Sequence, residues 1–248
     1  MKKYKVISVI LVLVLVLSLA AYASAPAQPK TVKVYEGMGQ LTNFRVGPGK
    51  DSENVQVYSF TTLTANATFD KDGRILNVYF DAIEVSTPNY DGASMPHFSG
   101  WPGTQGYNVT DHKTEKVSGI SFNTNESIAA EVNAWQTKRE RGDNYGMNPK
   151  NDWYKQVNFY QNFFKGKTID EIEAWVEKNT DANHRPLKVT STKPEDQAKY
   201  AKLTDAEKKV LADVVSGATM SISDAHGDFI GALKKAYANR VEVTIPAE

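Results

Sequence analysis

The segment DVVSGATMSIS, Asp213 to Ser223, sets hydroxyl side chains at Ser216, Thr219, Ser221 and Ser223 around Gly217 and Ala218. A threonine hydroxyl among small residues can bind a phosphate. Glycine lets backbone approach such a group closely, and a helix N-terminus offers free N–H groups and the positive end of a dipole. The spacing predicts this arrangement: a helix from about Asp205 ends near Val215, Gly217 breaks it, and Ser221 or Ser223 caps a next helix whose Ala225, Phe229, Ala232 and Ala236 share a face. Thr219 is then expected just ahead of a helix N-terminus. No lysine adjoins it and GxxxxGK is absent, so a triphosphate-binding loop is not indicated.

Other chemistries are excluded or unmarked. The 248 residues contain no cysteine, which removes disulfides, thiol nucleophiles, Cys-ligated zinc and iron-sulfur clusters. His97, His112 and His184 lack metal-ligand spacing. His226 reads either as a neighbour of the phosphate, one turn into the final helix, or as a surface residue. No paired carboxylates and no Ser-His-Asp set mark a substrate site. Lys+Arg and Asp+Glu both number 29, so no broad basic footprint for nucleic acid is present.

The elements that must hold Thr219 are legible in outline. Val55 to Phe69 is rich in β-branched and aromatic residues, DKDG at Asp70 to Gly73 supplies a turn, and Arg74 to Val85 alternates again, which predicts a long antiparallel hairpin. Asp91 to Gly106 is a loop by composition, long enough to be expected beside a functional site. Asn125 to Lys138 and Trp153 to Phe164 show helical periodicity, and Thr168 with Glu171 and Thr204 with Glu207 fit capping boxes. The fold class is α+β, an antiparallel hairpin or sheet packed with helices.

The start of the chain reads as an export signal. Lys2, Lys3 and Lys5 precede an apolar run from Val6 to about Ala21, with small residues at Ala21, Ala23 and Ala25, so cleavage is expected after Ala23. The run is shorter than the roughly 20 residues that span a bilayer. Residues 1–23 thus read as a signal peptide, with a retained membrane anchor as the alternative, 24–30 as a Pro/Ala/Gln linker, and 31–248 as the functional domain with an N-terminal β extension. LSLAAY, Leu17 to Tyr22, is similar to a lipoprotein signal with Tyr22 in place of the acceptor cysteine, so lipid anchoring is not expected.

Asp213-Val214-Val215-Ser216-Gly217-Ala218-Thr219 resembles the D-x-x-[ST]-G-A-[ST] acceptor of the FMN-binding domain family. That module occurs in components of the sodium-pumping NADH:quinone reductase and of the Rnf complex, and in extracellular flavoproteins of Gram-positive bacteria. Upstream, Asp72-Gly73-Arg74-Ile75 with Val78 resembles the family's D-G-x-I strand opening. GDNYGMNP, Gly142 to Pro149, is similar to a degraded E-T-P-G-[LM]-G segment. Gly146, Met147, Trp153 and Gly166-Lys167 fit the family, whereas Asp143, Asn144 and Tyr145 depart from it. The resemblance covers roughly residues 55–240.

It implies an FMN joined through its phosphate to Thr219 by a flavin transferase that uses FAD and Mg²⁺. Asp213, Ser216, Gly217, Ala218 and Ser221 would shape the acceptor, and Tyr145, Gly146 and Met147 the flavin pocket. Tyr145 and Met147 also read as plain packing residues, as do Trp101, Tyr107 and Trp153. The implied function is an exported carrier that relays electrons from a membrane donor to an extracellular or partner acceptor, rather than a self-contained enzyme. An exported FMN-dependent reductase of a small acceptor and a flavin-free surface binding protein remain the alternatives.

Overall fold

Alternating burial along a long hairpin organises the molecule. The structure, a computed structural model, describes residues 30–90 and 95–247. The expected signal peptide, its cleavage site and nearly all of the linker lie outside the described residues, as does the start of the loop at 91–94. Strand β2, Gln56–Phe69, and strand β3, Ile75–Ser86, pair antiparallel, with Leu63 opposite Ala82 and Ala67 opposite Val78. The expected hairpin is therefore present. Strand β1, Thr31–Lys50, runs antiparallel on the other side of β2, and the four-stranded sheet has the order β3-β2-β1-β8, with β8 at Val241–Pro246. Residues 34–243 form one compact unit; a second contains residues 30–33 and 244–247, in which the Ala247 N–H donates to the Lys30 carbonyl at 2.6 Å.

Every second residue of β2 from Val57 to Phe69 is buried, which gives the sheet one apolar face. Against it lie helix α3, Trp153–Phe164, and helix α7, Phe229–Ala238. Their Trp153, Val157, Tyr160, Phe164, Phe229 and Leu233 join Leu63, Phe69, Ile75 and Phe80 in the main core. Phe80 meets Phe229 edge-on at 4.9 Å between centroids, a favoured aromatic geometry. The fold is α+β, with one antiparallel sheet covered by helices.

Close approach fixes how α7 sits on the sheet. A Cβ on Gly37 would come within 2.0 Å of the Ala236 carbonyl oxygen, and one on Gly39 within 2.0 Å of the Ala232 carbonyl oxygen. Both strand positions must be glycine, because the nearest atoms they face belong to the helix backbone.

The remaining described helices are α1 at Asn125–Asn133, α2 at Lys138–Arg141, α4 at Ile169–Asn179, α5 at Pro194–Ala201 and α6 at Asp205–Gly217. Capping boxes open α4 at Thr168 and α6 at Thr204, as expected. Glu207 also accepts from Lys178 of α4, which with the cap holds its carboxyl down to about 2. The single helix expected over 125–138 is instead two. Trp135 Nε1 donates to the His97 carbonyl at 2.9 Å, and Thr137 begins a new helix with its own capping box to Glu140.

Candidate functional site

Helix α6 ends in a way that local sequence rules do not foresee. Gly217 is its last residue, and Ala218, the C-cap, is extended at φ −152°. The neighbouring helix α3 caps this end from outside. The Gln156 carboxamide oxygen accepts from the Thr219 N–H at 2.8 Å and the Met220 N–H at 3.0 Å, while its nitrogen donates to the Asn151 carbonyl at 2.9 Å. Asn151 Nδ2 donates in turn to the Gly217 carbonyl at 2.9 Å. Tyr160 donates its hydroxyl to the Met220 carbonyl at 2.7 Å.

Two expectations are corrected here. Ser221 and Ser223 do not cap a helix: the Ser221 hydroxyl donates to the Asn183 carbonyl at 2.6 Å, and Ser223 lies in strand β6, Ser223–Asp224, which pairs with β7, Gly227–Asp228. The N-cap of α7 is Asp228, whose carboxylate accepts from the Gly231 N–H at 2.9 Å. Thr219 therefore precedes a short hairpin and not a helix N-terminus, so the helix-dipole explanation for a phosphate falls. Ala225 and His226 sit exposed in the turn of that hairpin, not on α7.

Gly217 also has a different cause. A Cβ there would lie 2.0 Å from Cδ2 of Phe159, so glycine is required by a ring packed against the helix end. Gly217→Val is expected to cost about 1–3 kcal/mol by overpacking, and Phe159→Ala in the same chain should recover part of that loss. Thermal melts of the single and double variants measure it; an unchanged melt for Gly217→Val would remove the steric account.

Thr219 opens onto a cavity of about 410 Å³, within the usual range for small-molecule sites. Its wall includes Tyr145, Met147, Trp153 and Phe229, and its polar lining includes Gln156, Ser221, Asp224 and His226. The upstream segment around Gly146 and the hydroxyl segment around Thr219 are thus brought together across more than seventy residues of chain. Asp152 explains the shape of the first: its carboxylate caps α3 at the Trp153 N–H (2.6 Å) and accepts from the N–H groups of Gly146 (2.9 Å) and Met147 (3.3 Å).

Of the expected site residues, Thr219, Ser221, Tyr145 and Met147 line the cavity, and Gly146 joins the latter two. Asp213 and Ser216 do not; they lie exposed on the last turns of α6, with the Ser216 hydroxyl donating to the Asp213 carbonyl at 2.7 Å. Ala218 is buried in the core and Gly217 packs on Phe159. Trp153 both lines the cavity and belongs to the core, whereas Trp101 is 70% exposed. The described part of the 91–106 loop contributes nothing to the lining; its Ser99 donates to Glu131 of α1 at 2.6 Å. The two other upstream matches meet each other instead, through Ile75 N–H to Lys167 O at 2.9 Å and Gly166 N–H to Ile75 O at 2.8 Å.

Three cationic residues in the lining have no local signal in the sequence. Arg185 and Lys188 are exposed at the cavity, and among the described residues neither side chain enters an ion pair or hydrogen bond. Lys138, by contrast, is buried and bound to Glu84 at 2.8 Å. The lining suits a planar aromatic ligand with a phosphate: aromatic walls inside, unpaired cations for the anion, and a threonine hydroxyl that among the described residues makes no hydrogen bond.

No protein-family model matches this chain, and no solved structure does. A chlorophenol reductase of Desulfitobacterium hafniense is 37% identical to it over 227 residues, covering 87% of this chain and 61% of that protein. The chain therefore spans less than two thirds of this relative's length.

Proposed function

We propose that this protein is an exported electron-transfer flavoprotein whose FMN is joined by a phosphoester to Thr219. The observation that carries the reading is the convergence of Thr219 with Tyr145, Met147 and Trp153 on one cavity that also receives Arg185 and Lys188. The similarity to a protein named as a reductase supports a redox role.

Thr219 supplies the oxygen of the new phosphorus–oxygen bond; the FAD pyrophosphate bond breaks, AMP leaves, and a flavin transferase with Mg²⁺ catalyses the exchange. Tyr145, Trp153 and Phe229 exclude water from the ring's surroundings, and Arg185 and Lys188 neutralise the phosphate. When bound, FMN supplies the capacity to accept and pass on electrons. Asp213 and Ser216, exposed beside Thr219, remain open to recognition by the transferase. A membrane donor and an extracellular or partner acceptor complete the relay.

The test is the intact mass and visible spectrum of the chain produced with and without a flavin transferase. The expected result is a gain of one FMN less one water and a yellow protein only with the transferase; a colourless chain of unmodified mass sinks the proposal. Replacing both Arg185 and Lys188 by Gln should slow attachment about fivefold at low salt, as expected for exposed charge contacts, and less at high salt. An unchanged attachment time course would remove them from the phosphate site.

The similarity to chlorophenol reductase favours a second reading, direct reduction of a small aromatic acceptor by the flavoprotein. Oxidation of the reduced, purified protein by a chlorinated phenol, followed by its absorbance, would support it; no reoxidation would leave the carrier role.

A further inference from the structure

Beside the aromatic residues of the Thr219 cavity lies an ion pair that packing alone does not call for. Lys138 is 1% exposed and Glu84 2%, with Nζ and Oε2 2.8 Å apart. Removing two such charges from water costs several kcal/mol each, and a well-packed apolar pair would serve stability as well or better. The arrangement is also lopsided. Arg45 Nη1 lies 3.7 Å from the other Glu84 oxygen, so one carboxylate serves two cations. Lys138 lines the cavity and Glu84 does not.

The ammonium of Lys138 is 5.1 Å from the Tyr145 ring centroid and 5.8 Å from that of Trp153, both cavity walls. Burial opposes its charge, but Tyr145 and Glu84 outweigh burial and hold its pKa above the ordinary lysine value. The other charged groups of the lining are Asp224, paired with His226 at 3.3 Å, and the two cations Arg185 and Lys188. The balance favours a ligand that carries or gains negative charge, and the low interior dielectric amplifies the nearest contribution.

We propose that Lys138 sets the reduction potential of the aromatic ring held in this cavity, its buried ammonium stabilising the negative charge that arrives with the electrons. This rests on the reading that the ring is FMN. The electrons come from the donor, or in the test from the chemical reductant; Lys138 neither gives nor takes any and keeps its proton. Glu84, held by Lys138 and Arg45, fixes the ammonium in place and is a positioning residue.

The experiment is a dye-coupled reductive titration of the full flavinylated chain at neutral pH, for wild type, Lys138→Arg, Lys138→Met and the double variant Lys138→Met with Glu84→Gln. Lys138→Met strands the Glu84 charge and can cost the fold; the double variant leaves no bare carboxylate. The expected result is a tenfold or larger loss in the two-electron reduction equilibrium in both Met variants, about 30 mV for such a couple, with Lys138→Arg close to wild type. A purely structural ion pair would not move the potential. Covalent flavin on the denatured chain with an unchanged potential in the folded double variant overturns this inference and leaves the flavin reading standing. No flavin on the wild-type chain overturns both.

Discussion

Thr219→Ala is expected to abolish covalent flavin completely while leaving the fold intact. Among the described residues the Thr219 hydroxyl makes no hydrogen bond, and the contact that anchors this residue, its N–H to Gln156, belongs to the backbone and survives the substitution. The residue is only partly buried, so the stability cost should stay within about 0.5 kcal/mol. Thr219→Ser keeps an oxygen in place and should retain attachment. In-gel flavin fluorescence after denaturation, with circular dichroism as the folding control, reads both. A Thr219→Ala chain that still fluoresces places the attachment elsewhere.

Gln156→Leu should have the largest effect on stability around the site. The side chain is 2% exposed and its two polar atoms satisfy three backbone groups: the N–H of Thr219, the N–H of Met220 and the carbonyl of Asn151. A buried polar group left without a partner costs about 1–3 kcal/mol, and water reaching the partly open loop softens part of that total. A loss of about 3 kcal/mol is expected, or a melting temperature lower by about 6–12 °C for a domain of this size. Flavin attachment should fall with it, because the loop that presents Thr219 loses its shape. Gln156→Glu keeps an acceptor for both N–H groups and should lose less. If Gln156→Leu melts within about 1 °C of wild type, other contacts hold the loop.

The parts that sequence makes legible are those with a local rhythm. Alternation from Val55 to Val85 around DKDG locates the hairpin, and threonine three residues before glutamate locates the starts of α4 and α6. The same pattern at Thr137 and Glu140 competes with a helical periodicity that runs on to Lys138, and the periodicity alone makes α1 too long. At Ser221 and Ser223 the misleading signal is of another kind. Serines ahead of Ala225 imitate a helix start, but the Ser221 hydroxyl is taken by the Asn183 carbonyl and the real cap, Asp228, stands further on.

Thr219 and Met147 stand out as residue types in a motif, and they meet at one cavity with Tyr145, which departs from that motif. What holds them there is invisible in the chain. Gln156 and Asn151 act on partners more than sixty residues away, and Glu84 pairs with a lysine fifty-four positions away. Phe159 dictates Gly217 across a similar gap. Contacts of this kind leave no periodicity, so Gly217 reads from sequence as backbone freedom when a neighbouring ring requires it.

The glycines at 37 and 39 have a consequence for how such a protein can vary over time. Where a single added methyl group would meet a carbonyl of α7 at 2.0 Å, the strand cannot drift by ordinary single substitutions. Helix α7 begins with Phe229, which forms part of the cavity wall, so any change that levers the helix off β1 also alters the space available to a ligand. Two residues with no side chain and no part in the lining thus tie the inheritance of the site to that of the sheet. A lineage that changed its ligand would have to do so on the other walls, around Tyr145 and Met147, where the chain is more exposed and free to diverge.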